Sequence, residues 1–467
     1  MQMSHAARSY ILSLHSIFLC IGMNWHRHCI FPGKGYNPGA CPSVVTGYRL
    51  RIHSSLIDTG KYDIVPAMKA LITFSSITAL ALAPSLFGAS PEHFSEAAKM
   101  RLADSIELEQ PAYKLNVVYF TGNDNEPIAD YQRRISELLL YLQQFYAKEM
   151  DRNGYGKRAF GLSMLPNGEV DIILIRGKKG HKEYSYGTGH NACLEEVNAY
   201  FAENPDKKLS HHTFVIMPTH YDEQYGNANP GGVPFYGLGR NCFALDYPDF
   251  DIKYLGQDTP KGRLLTKWYG GFAHELGHGL NLPHNDGPTS MNQEFGTPLM
   301  GSGNYTFGLK PTYLTPSTCS ILNYSETFAV AGKAPQFYPE QPAEPTVKDL
   351  RIIFDGENLN VSLKCEEKFC VNAYIQDPGY QVNQDYDAIA FRMQDGATND
   401  GLNCKTATMP LKELTRLKNV RNGEQAVDLL FGAPDGSRFR TRIIFNWEVL
   451  KTGDSIPTGE LQFRQGY

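Results

Sequence analysis

Clustered basic residues are missing from this sequence. Its 467 residues carry a formal net charge of −5, and lysine and arginine are spread along the chain without forming a basic block. Proteins that bind nucleic acid or an anionic membrane surface usually concentrate positive charge in a patch. We therefore expect neither nucleic acid nor an anionic membrane as a partner. Internal repeats and low-complexity tracts are missing as well.

A long apolar run is also missing near the amino terminus. The apolar stretch Tyr10–Met23 is too short for a transmembrane helix, which needs about 20 residues. Residues 1–67 do not read as a folded domain. We interpret them as a leader that precedes a misassigned start, with the true start at Met68.

Residues 68–89 have the pattern of a secretory signal peptide. A lysine follows Met68, an apolar centre comes next, and small residues close the segment, as in signal peptides that are cleaved. The alternative is an N-terminal membrane anchor. After cleavage, we expect a secreted, periplasmic or cell-surface protein without stable membrane insertion.

Cysteine usage agrees with export. Of the nine cysteines, those after the predicted signal peptide are even in number: Cys193, Cys242, Cys319, Cys365, Cys370 and Cys404. In an oxidising compartment they could form disulfides. Buried free thiols are the alternative.

The strongest chemical signal lies in the segment Ala273–His284. His274 and His278 are four residues apart, so on a helix both imidazoles leave the same face and can bind one Zn²⁺. Glu275, beside the first ligand, can polarise a metal-bound water as a general base. A third ligand, His284, requires the chain to turn back after the helix. Three protein ligands leave one position open for water, which is typical of a catalytic zinc site.

This segment resembles the signature of metzincin metalloproteases, H-E-x-x-H-x-x-G-x-x-H followed by a methionine turn. His274, Glu275, His278 and His284 match the signature position by position. The expected glycine is replaced by Asn281, and asparagine is the usual second choice for a left-handed backbone conformation.

The resemblance also implies an apolar floor under the three histidines, formed by a methionine that does not bind the metal. The Gly-rich turn around Met300 fits this role by its distance from the third histidine. Met291 fits less well because it follows the third histidine so closely.

Secondary-structure patterns before the motif alternate between strand and helix. Strands are predicted at Lys114–Phe120, Glu169–Arg176 and Thr213–Met217, with helices at Tyr131–Tyr146 and Cys193–Ala202. The second strand is nearly all apolar and is expected in the centre of a sheet. This order resembles the first half of a metzincin catalytic domain, which implies a twisted mixed sheet followed by the zinc helix and the methionine turn.

The domain prediction is an α+β chain with an accessory C-terminal domain. Residues 90–333 are expected to form the catalytic domain, and the Pro-rich residues 334–345 a semi-rigid linker. Residues 346–467 show short strands with turns, which favours a β-sandwich. We find no chemistry-bearing group of residues in this last region, so it either binds substrate or cell-surface glycan or stabilises the catalytic domain.

Two further features lie between the third predicted strand and the zinc helix. The resemblance implies an edge strand that pairs with an extended substrate, either Phe235–Gly239 or Cys242–Leu245. Asp246, Asp249 and Asp251 could bind a structural Ca²⁺, although a solvated acidic turn is the favoured interpretation.

These observations predict a secreted zinc endopeptidase that hydrolyses proteins or glycoproteins. Zn²⁺ lowers the pKa of its bound water toward ~7, and Glu275 takes the proton during attack on the peptide carbonyl. One alternative is a gluzincin, in which Glu294 rather than His284 completes the site. The other is a secreted adhesin or glycan-binding protein without catalytic activity.

Overall fold

The structure is a computed structural model. It describes residues 91–219, 230–332, 336–378, 386–399, 401–417, 420, 422–448, 450, 453, 455–456 and 461–466. The predicted leader and the predicted signal peptide lie outside the described residues. All described residues belong to one unit, Ala83–Tyr467. Within them, no helix has both the length and the apolar composition that crossing a membrane requires.

The first part of this unit alternates between strands and helices, as predicted. Its helices are α1 (Glu96–Leu102), α2 (Tyr131–Arg152), α3 (Gly189–Glu203), α4 (Pro260–Gly279), α5 (Thr289–Phe295) and α6 (Pro316–Leu322). Its strands are β1 (Asn116–Thr121), β2 (Ile173–Arg176), β3 (Thr213–Pro218), β4 (Gly237–Leu238), β5 (Asn241–Asp246), β6 (Thr297–Pro298) and β7 (Thr312–Tyr313).

A mixed sheet in the order β2-β1-β3-β5-β4 forms the body of this part. The first four strands are parallel, and β4 pairs antiparallel with β5 at one edge. Every residue of β1 and β3 is buried, because parallel strands of this kind are covered on both faces.

The prediction that the strand Glu169–Arg176 lies in the centre of the sheet is wrong. Only its last four residues form β2, which lies at the edge opposite β4. Leu174 in this strand is 44% exposed. A short apolar run does not distinguish a covered central strand from an edge strand, since that depends on which elements pack beside it.

Helix α4 has a well-defined start and one packed face. The Thr259 side chain accepts a hydrogen bond from the Gly262 backbone N–H, and Pro260 occupies the first turn, where its missing N–H costs nothing. The helix buries large side chains against the sheet: Leu265, Tyr269, Phe272 and Leu276.

The second part of the unit consists of antiparallel strands. They are β8 (Lys348–Phe354), β9 (Asn358–Glu366), β10 (Cys370–Gln376), β11 (Ile389–Arg392), β12 (Gln394–Asn399), β13 (Leu402–Pro410), β14 (Glu424–Gly432), β15 (Arg438–Asn446) and β16 (Arg464–Gln465). They form two sheets, in the orders β11-β10-β14-β15-β16 and β12-β13-β9-β8. Alternate residues of β9 are buried, and both sheets contribute to a common hydrophobic core. The predicted α+β fold is confirmed.

The two parts are joined by shared core packing. Tyr374, Ala390 and Leu430 from the second part are buried in the hydrophobic core of the first. In the Pro-rich segment, Phe337 is 5% exposed, and the Tyr338 hydroxyl lies 2.6 Å from Nε2 of the buried His212. At Phe337 and Tyr338 the segment therefore packs against the body of the protein.

Candidate metal centre and active site

Three histidine side chains converge at the end of helix α4. The Nε2 atoms of His274 and His278 lie 3.1 Å apart, as expected for positions one turn apart on the same helix face. Nε2 of His284 lies 3.0 Å from each of them. Within the described part of the chain, this is the one group of metal-ligating side chains whose donor atoms lie so close together.

The return of the chain after α4 depends on Asn281. This residue has a φ angle of 71°, in the left-handed region that asparagine tolerates better than most residues. Its N–H donates to the carbonyl of His278 at 2.7 Å, and the N–H of Leu282 donates to the carbonyl of Gly277 at 2.9 Å. These bonds satisfy the last carbonyls of the helix and direct the chain back toward the other two histidines.

Hydrogen bonds fix the orientation of two of the imidazoles. Nδ1 of His274 lies 2.8 Å from the Leu299 carbonyl oxygen, and Nδ1 of His278 lies 2.8 Å from the Leu282 carbonyl oxygen. A carbonyl only accepts, so each Nδ1 donates and each Nε2 presents a lone pair toward the centre of the cluster.

This arrangement fits a metal cation. Burial, together with the neighbouring His278 and His284, holds the pKa of His274 well below its usual value, and burial lowers the pKa of His278. Neutral imidazoles with converging lone pairs are the form in which histidine binds metal.

Met300 lies against the ligand-bearing helix. Its side chain is 1% exposed, and its sulfur is so close to Gly277 that a Cβ at this position would overlap it. Leu299, its neighbour, supplies the carbonyl that orients His274. The methionine therefore packs against the helix that carries His274 and His278, and its role as an apolar floor under the histidines stays a prediction.

Glu275 faces the edge strand of the sheet. Its Oε2 accepts a hydrogen bond of 2.9 Å from the N–H of Gly237 in β4. Burial raises the pKa of Glu275 to about 8, and the hydrogen bond from Gly237 opposes this shift. A carboxyl group with such a pKa can exchange a proton near neutral pH.

A cleft of about 380 Å³ opens over the histidine cluster and Glu275. Its walls are Tyr236, Gly237, Leu238, Gly239, Glu275, His278, Asn281, Leu282, His284 and Tyr386. Of the two edge-strand candidates, Phe235–Gly239 contains β4 at the rim of the cleft, whereas Cys242–Leu245 forms the inner strand β5. The Leu238 side chain is 43% exposed, so this edge is accessible.

Tyr386 reaches the cleft from the second part of the chain. Its ring stacks on His284 with a centroid distance of 3.9 Å and an angle of 26°, and lies 5.6 Å from the ring of His274. The sequence analysis found no chemistry-bearing group of residues in the C-terminal region, and it did not predict this contact of a single tyrosine with the histidines. No local motif around Tyr386 marks this role, because the contact depends on tertiary packing.

Comparison with solved structures shows that this chain is similar to OgpA from Akkermansia muciniphila. One crystal structure of the wild-type protein is 49% identical to this chain, covers 75% of it and is itself covered over 98% of its length, with a TM-score of 0.71. The chain belongs to the OgpA family.

Two further structures of OgpA give nearly the same values. A second wild-type crystal form has 48% identity, 77% and 98% coverage and a TM-score of 0.70. The other structure is of catalytically inactive OgpA in complex with an O-glycopeptide substrate, glycodrosocin, and has 49% identity. Comparisons with protein-family models and with curated proteins give no match.

Membership of the OgpA family confirms the prediction of an enzyme, a metallopeptidase. The alternative of a non-catalytic adhesin is set aside.

Two residues next to His284 in this OgpA family member were not predicted. The N–H of Asn285 donates to the Met300 carbonyl at 3.1 Å, and its buried side-chain amide bonds the hydroxyl groups of Thr315 and Thr318. Asp286 pairs with Arg416 from the second part. Together they hold the loop that carries His284.

Glu294, the alternative third ligand, lies away from the cluster. It is exposed on the short helix α5. The structure brings His284, not Glu294, to the other two histidines.

The acidic residues considered for calcium are bound by protein cations instead. Asp246 forms a buried ion pair with Arg134 at 2.7 Å, Asp249 pairs with Lys261 at 2.9 Å, and Asp251 pairs with Arg133 at 3.1 Å. Their charges are compensated by three different cations, and these carboxylates do not belong to the group of converging donor atoms found among the described residues.

The cysteines of the catalytic and C-terminal regions are free thiols. None of the six that were considered for disulfides is bonded within the described residues. Cys193, Cys242 and Cys319 are fully buried, and burial raises their thiol pKa values well above the usual range. They pack as small apolar side chains.

Proposed function

We propose that this member of the OgpA family is an exported, metzincin-type zinc endopeptidase that cleaves peptide bonds in O-glycosylated proteins. The observation that carries the proposal is the convergence of three imidazole Nε2 atoms at 3.0–3.1 Å beside the carboxyl group of Glu275. The signal-peptide pattern of residues 68–89 supports export.

His274, His278 and His284 would hold the metal ion. Three neutral nitrogen ligands suit Zn²⁺, which binds histidine nitrogens at about 2.0–2.1 Å. When bound, a zinc ion supplies a Lewis acid that polarises the substrate carbonyl and lowers the pKa of water.

Glu275 moves the proton. Its carboxylate accepts a proton from the attacking water and delivers it to the nitrogen of the leaving amine. The hydrogen bond from Gly237 holds one carboxylate oxygen in place, which leaves the other oxygen available for proton transfer. Since Gly237 is on the edge strand, the base is positioned relative to the surface that binds substrate.

The edge strand β4 binds the extended substrate by adding one more strand to the sheet. A Cβ at Gly237 would overlap the side chain of His278, so the glycine lets the strand pass directly over the metal ligands. A peptide paired with β4 therefore has its scissile bond above the three histidines.

The proposed action on O-glycosylated substrates is supported by the relative. OgpA is seen in complex with an O-glycopeptide substrate, and this chain covers 98% of the OgpA chain at 49% identity.

The two-sheet C-terminal part is proposed to be a β-sandwich that supports the catalytic part and contributes Tyr386 to the cleft.

A cleavage assay with matched peptides tests this proposal. A peptide carrying one O-linked glycan and the same peptide without it are incubated with purified protein, and the products are read by mass spectrometry. We expect cleavage of the glycosylated peptide, its loss after treatment with a chelator, and its return on addition of Zn²⁺. Cleavage of neither peptide by protein that contains zinc would contradict the proposal.

A further inference from the structure

A second groove continues from the catalytic cleft past the end of β4. Its volume is about 640 Å³. Leu238, Gly239 and Asn281 line both the cleft and this groove. A substrate that lies along the edge strand and extends beyond Gly239 therefore enters the groove.

Both parts of the chain contribute walls to the groove. Lys208 and Arg240 come from the first part, Tyr338 from the Pro-rich segment, and Arg438 and Gln465 from the second part. The guanidinium of Arg240 lies over the ring of Tyr338, 4.4 Å from its centroid, which holds this side chain at the groove.

Positive charge predominates among the groove residues. Lys208, Arg240 and Arg438 are cationic, and the first two are exposed. One carboxylate lines the groove, that of Glu340. A second carboxylate, of the buried Glu326, is nearby but accepts bonds from His211, through its N–H at 2.7 Å and its Nδ1 at 2.9 Å.

The charges of two arginines also act on a buried histidine, His212. Burial is the main cause that lowers the pKa of His212 to about 3, and the positive charges of Arg240 and Arg438 lower it further. Arg438 itself is anchored, since its guanidinium donates to the carbonyl of Asn281. The groove thus presents two arginine side chains held by contacts, together with the exposed Lys208.

We propose that this groove is an anion-binding subsite, which recognises a carboxylate on the N-terminal side of the scissile bond. The proposal rests on the proposed function. Antiparallel pairing with β4, the more stable ladder type, places the N-terminal residues of the substrate at the C-terminal end of β4, beside Gly239. The carboxylate can belong to an Asp or Glu side chain or to an acidic sugar on a neighbouring residue, because guanidinium groups bind either.

A peptide series tests the subsite. The parent glycopeptide is neutral, and its derivatives carry either one Asp or one sialylated sugar, scanned along the N-terminal side. KM and kcat are measured for each, and Kd is measured with the inactive Glu275→Ala variant. We expect KM and Kd to fall by about three- to tenfold for an acidic derivative, and less at high salt.

Variants assign the effect to the groove. Arg240→Gln and Lys208→Gln are expected to reduce the advantage of the acidic derivative, whereas Lys148→Gln, on an exposed face of α2, keeps it. A response to Asp alone or to the sialylated sugar alone identifies the source of the carboxylate and supports the subsite. Equal KM and Kd for acidic and neutral peptides that are all cleaved would overturn it. Failure to cleave any peptide would instead contradict the proposed function.

Discussion

At the scale of single residues, the candidate site depends on neighbours that fix each imidazole. Backbone carbonyls orient His274 and His278 through Nδ1. His284 has a different kind of neighbour, the ring of Tyr386, stacked at 3.9 Å. We infer that this aromatic contact restrains the third ligand, which is carried by a loop rather than by the helix.

Replacement of Tyr386 tests this restraint. Aromatic pairs are worth about 0.5–1.5 kcal/mol beyond their buried area, so Tyr386→Leu is expected to weaken zinc affinity by roughly 2- to 10-fold. Tyr386→Phe keeps the ring and is the matched control. Zinc affinity is measured by competition with a chromogenic chelator. Equal affinity of the leucine variant and the parent, or an equal loss in both variants, would show that stacking is not the cause.

At the scale of elements, the site is a helix, a turn and a loop brought to one edge of a sheet. Helix α4 supplies two ligands and Glu275, the turn at Asn281 reverses the chain, and the loop after it supplies His284. Strand β4 covers the ligands and bonds the carboxyl group of Glu275. The helix, the turn, the loop and the strand therefore have separate functions in the site.

The identity of the third ligand is tested by a pair of variants. His284→Ala is expected to lose zinc during dialysis, because two nitrogen ligands remain where three are needed. Glu294→Ala removes an exposed side chain and is expected to keep about one zinc per chain. Zinc content is measured by mass spectrometry of the dialysed proteins. The opposite pattern would favour the gluzincin alternative and remove the role given to Met300.

The sequence predicted the helix and the turn because ligand chemistry and turn chemistry coincide in one short segment. His274, His278 and Asn281 each have the residue type that their local position requires. By contrast, the edge position of β2 was missed, since apolar composition does not reveal which elements cover a strand. Tyr386 was missed for a similar reason, because its role arises from a contact between distant parts of the chain.

At the scale of the whole molecule, the second part of the chain completes the first. Asp286, two residues after His284, donates its N–H to the Ala388 carbonyl at 2.7 Å and accepts from the Ala390 N–H at 3.0 Å. Its carboxylate pairs with Arg416. The C-terminal part is therefore joined by backbone and side-chain bonds to the loop that carries the third ligand.

A shortened chain that ends at residue 345 tests this dependence. Without the second part, the first core loses Tyr374, Ala390 and Leu430, and burial of large side chains is worth about 1.5–3 kcal/mol each. We expect a chain that does not fold cooperatively and does not retain zinc, as measured by circular dichroism and metal analysis. A folded shortened chain with zinc and peptidase activity would show that the second part is a separable accessory domain.

A single substitution in the Asp286–Arg416 ion pair tests the same connection between the two parts without removing a domain. Arg416→Gln leaves the carboxylate of Asp286, whose side chain is 1% exposed, without its cationic partner. Asp286 still accepts hydrogen bonds from Asn292 and Gly287, and these limit the loss. We therefore expect the free energy of unfolding to fall by about 1–3 kcal/mol. Urea denaturation measures the change. The exposed neighbour Lys412 provides the control, Lys412→Gln, and an equal effect of the two variants would contradict the connection.

In the proposed mechanism, three histidines hold one zinc ion and Glu275 moves the proton during peptide hydrolysis. The most direct measurement takes zinc content and glycopeptide cleavage rate from the same preparation of Glu275→Gln, with Glu294→Gln as the matched control. We predict about one zinc per chain in both proteins, and a rate that falls by about 10²–10⁴-fold in the first only. A Glu275→Gln protein that contains zinc and cleaves the glycopeptide at the parent rate would contradict this mechanism.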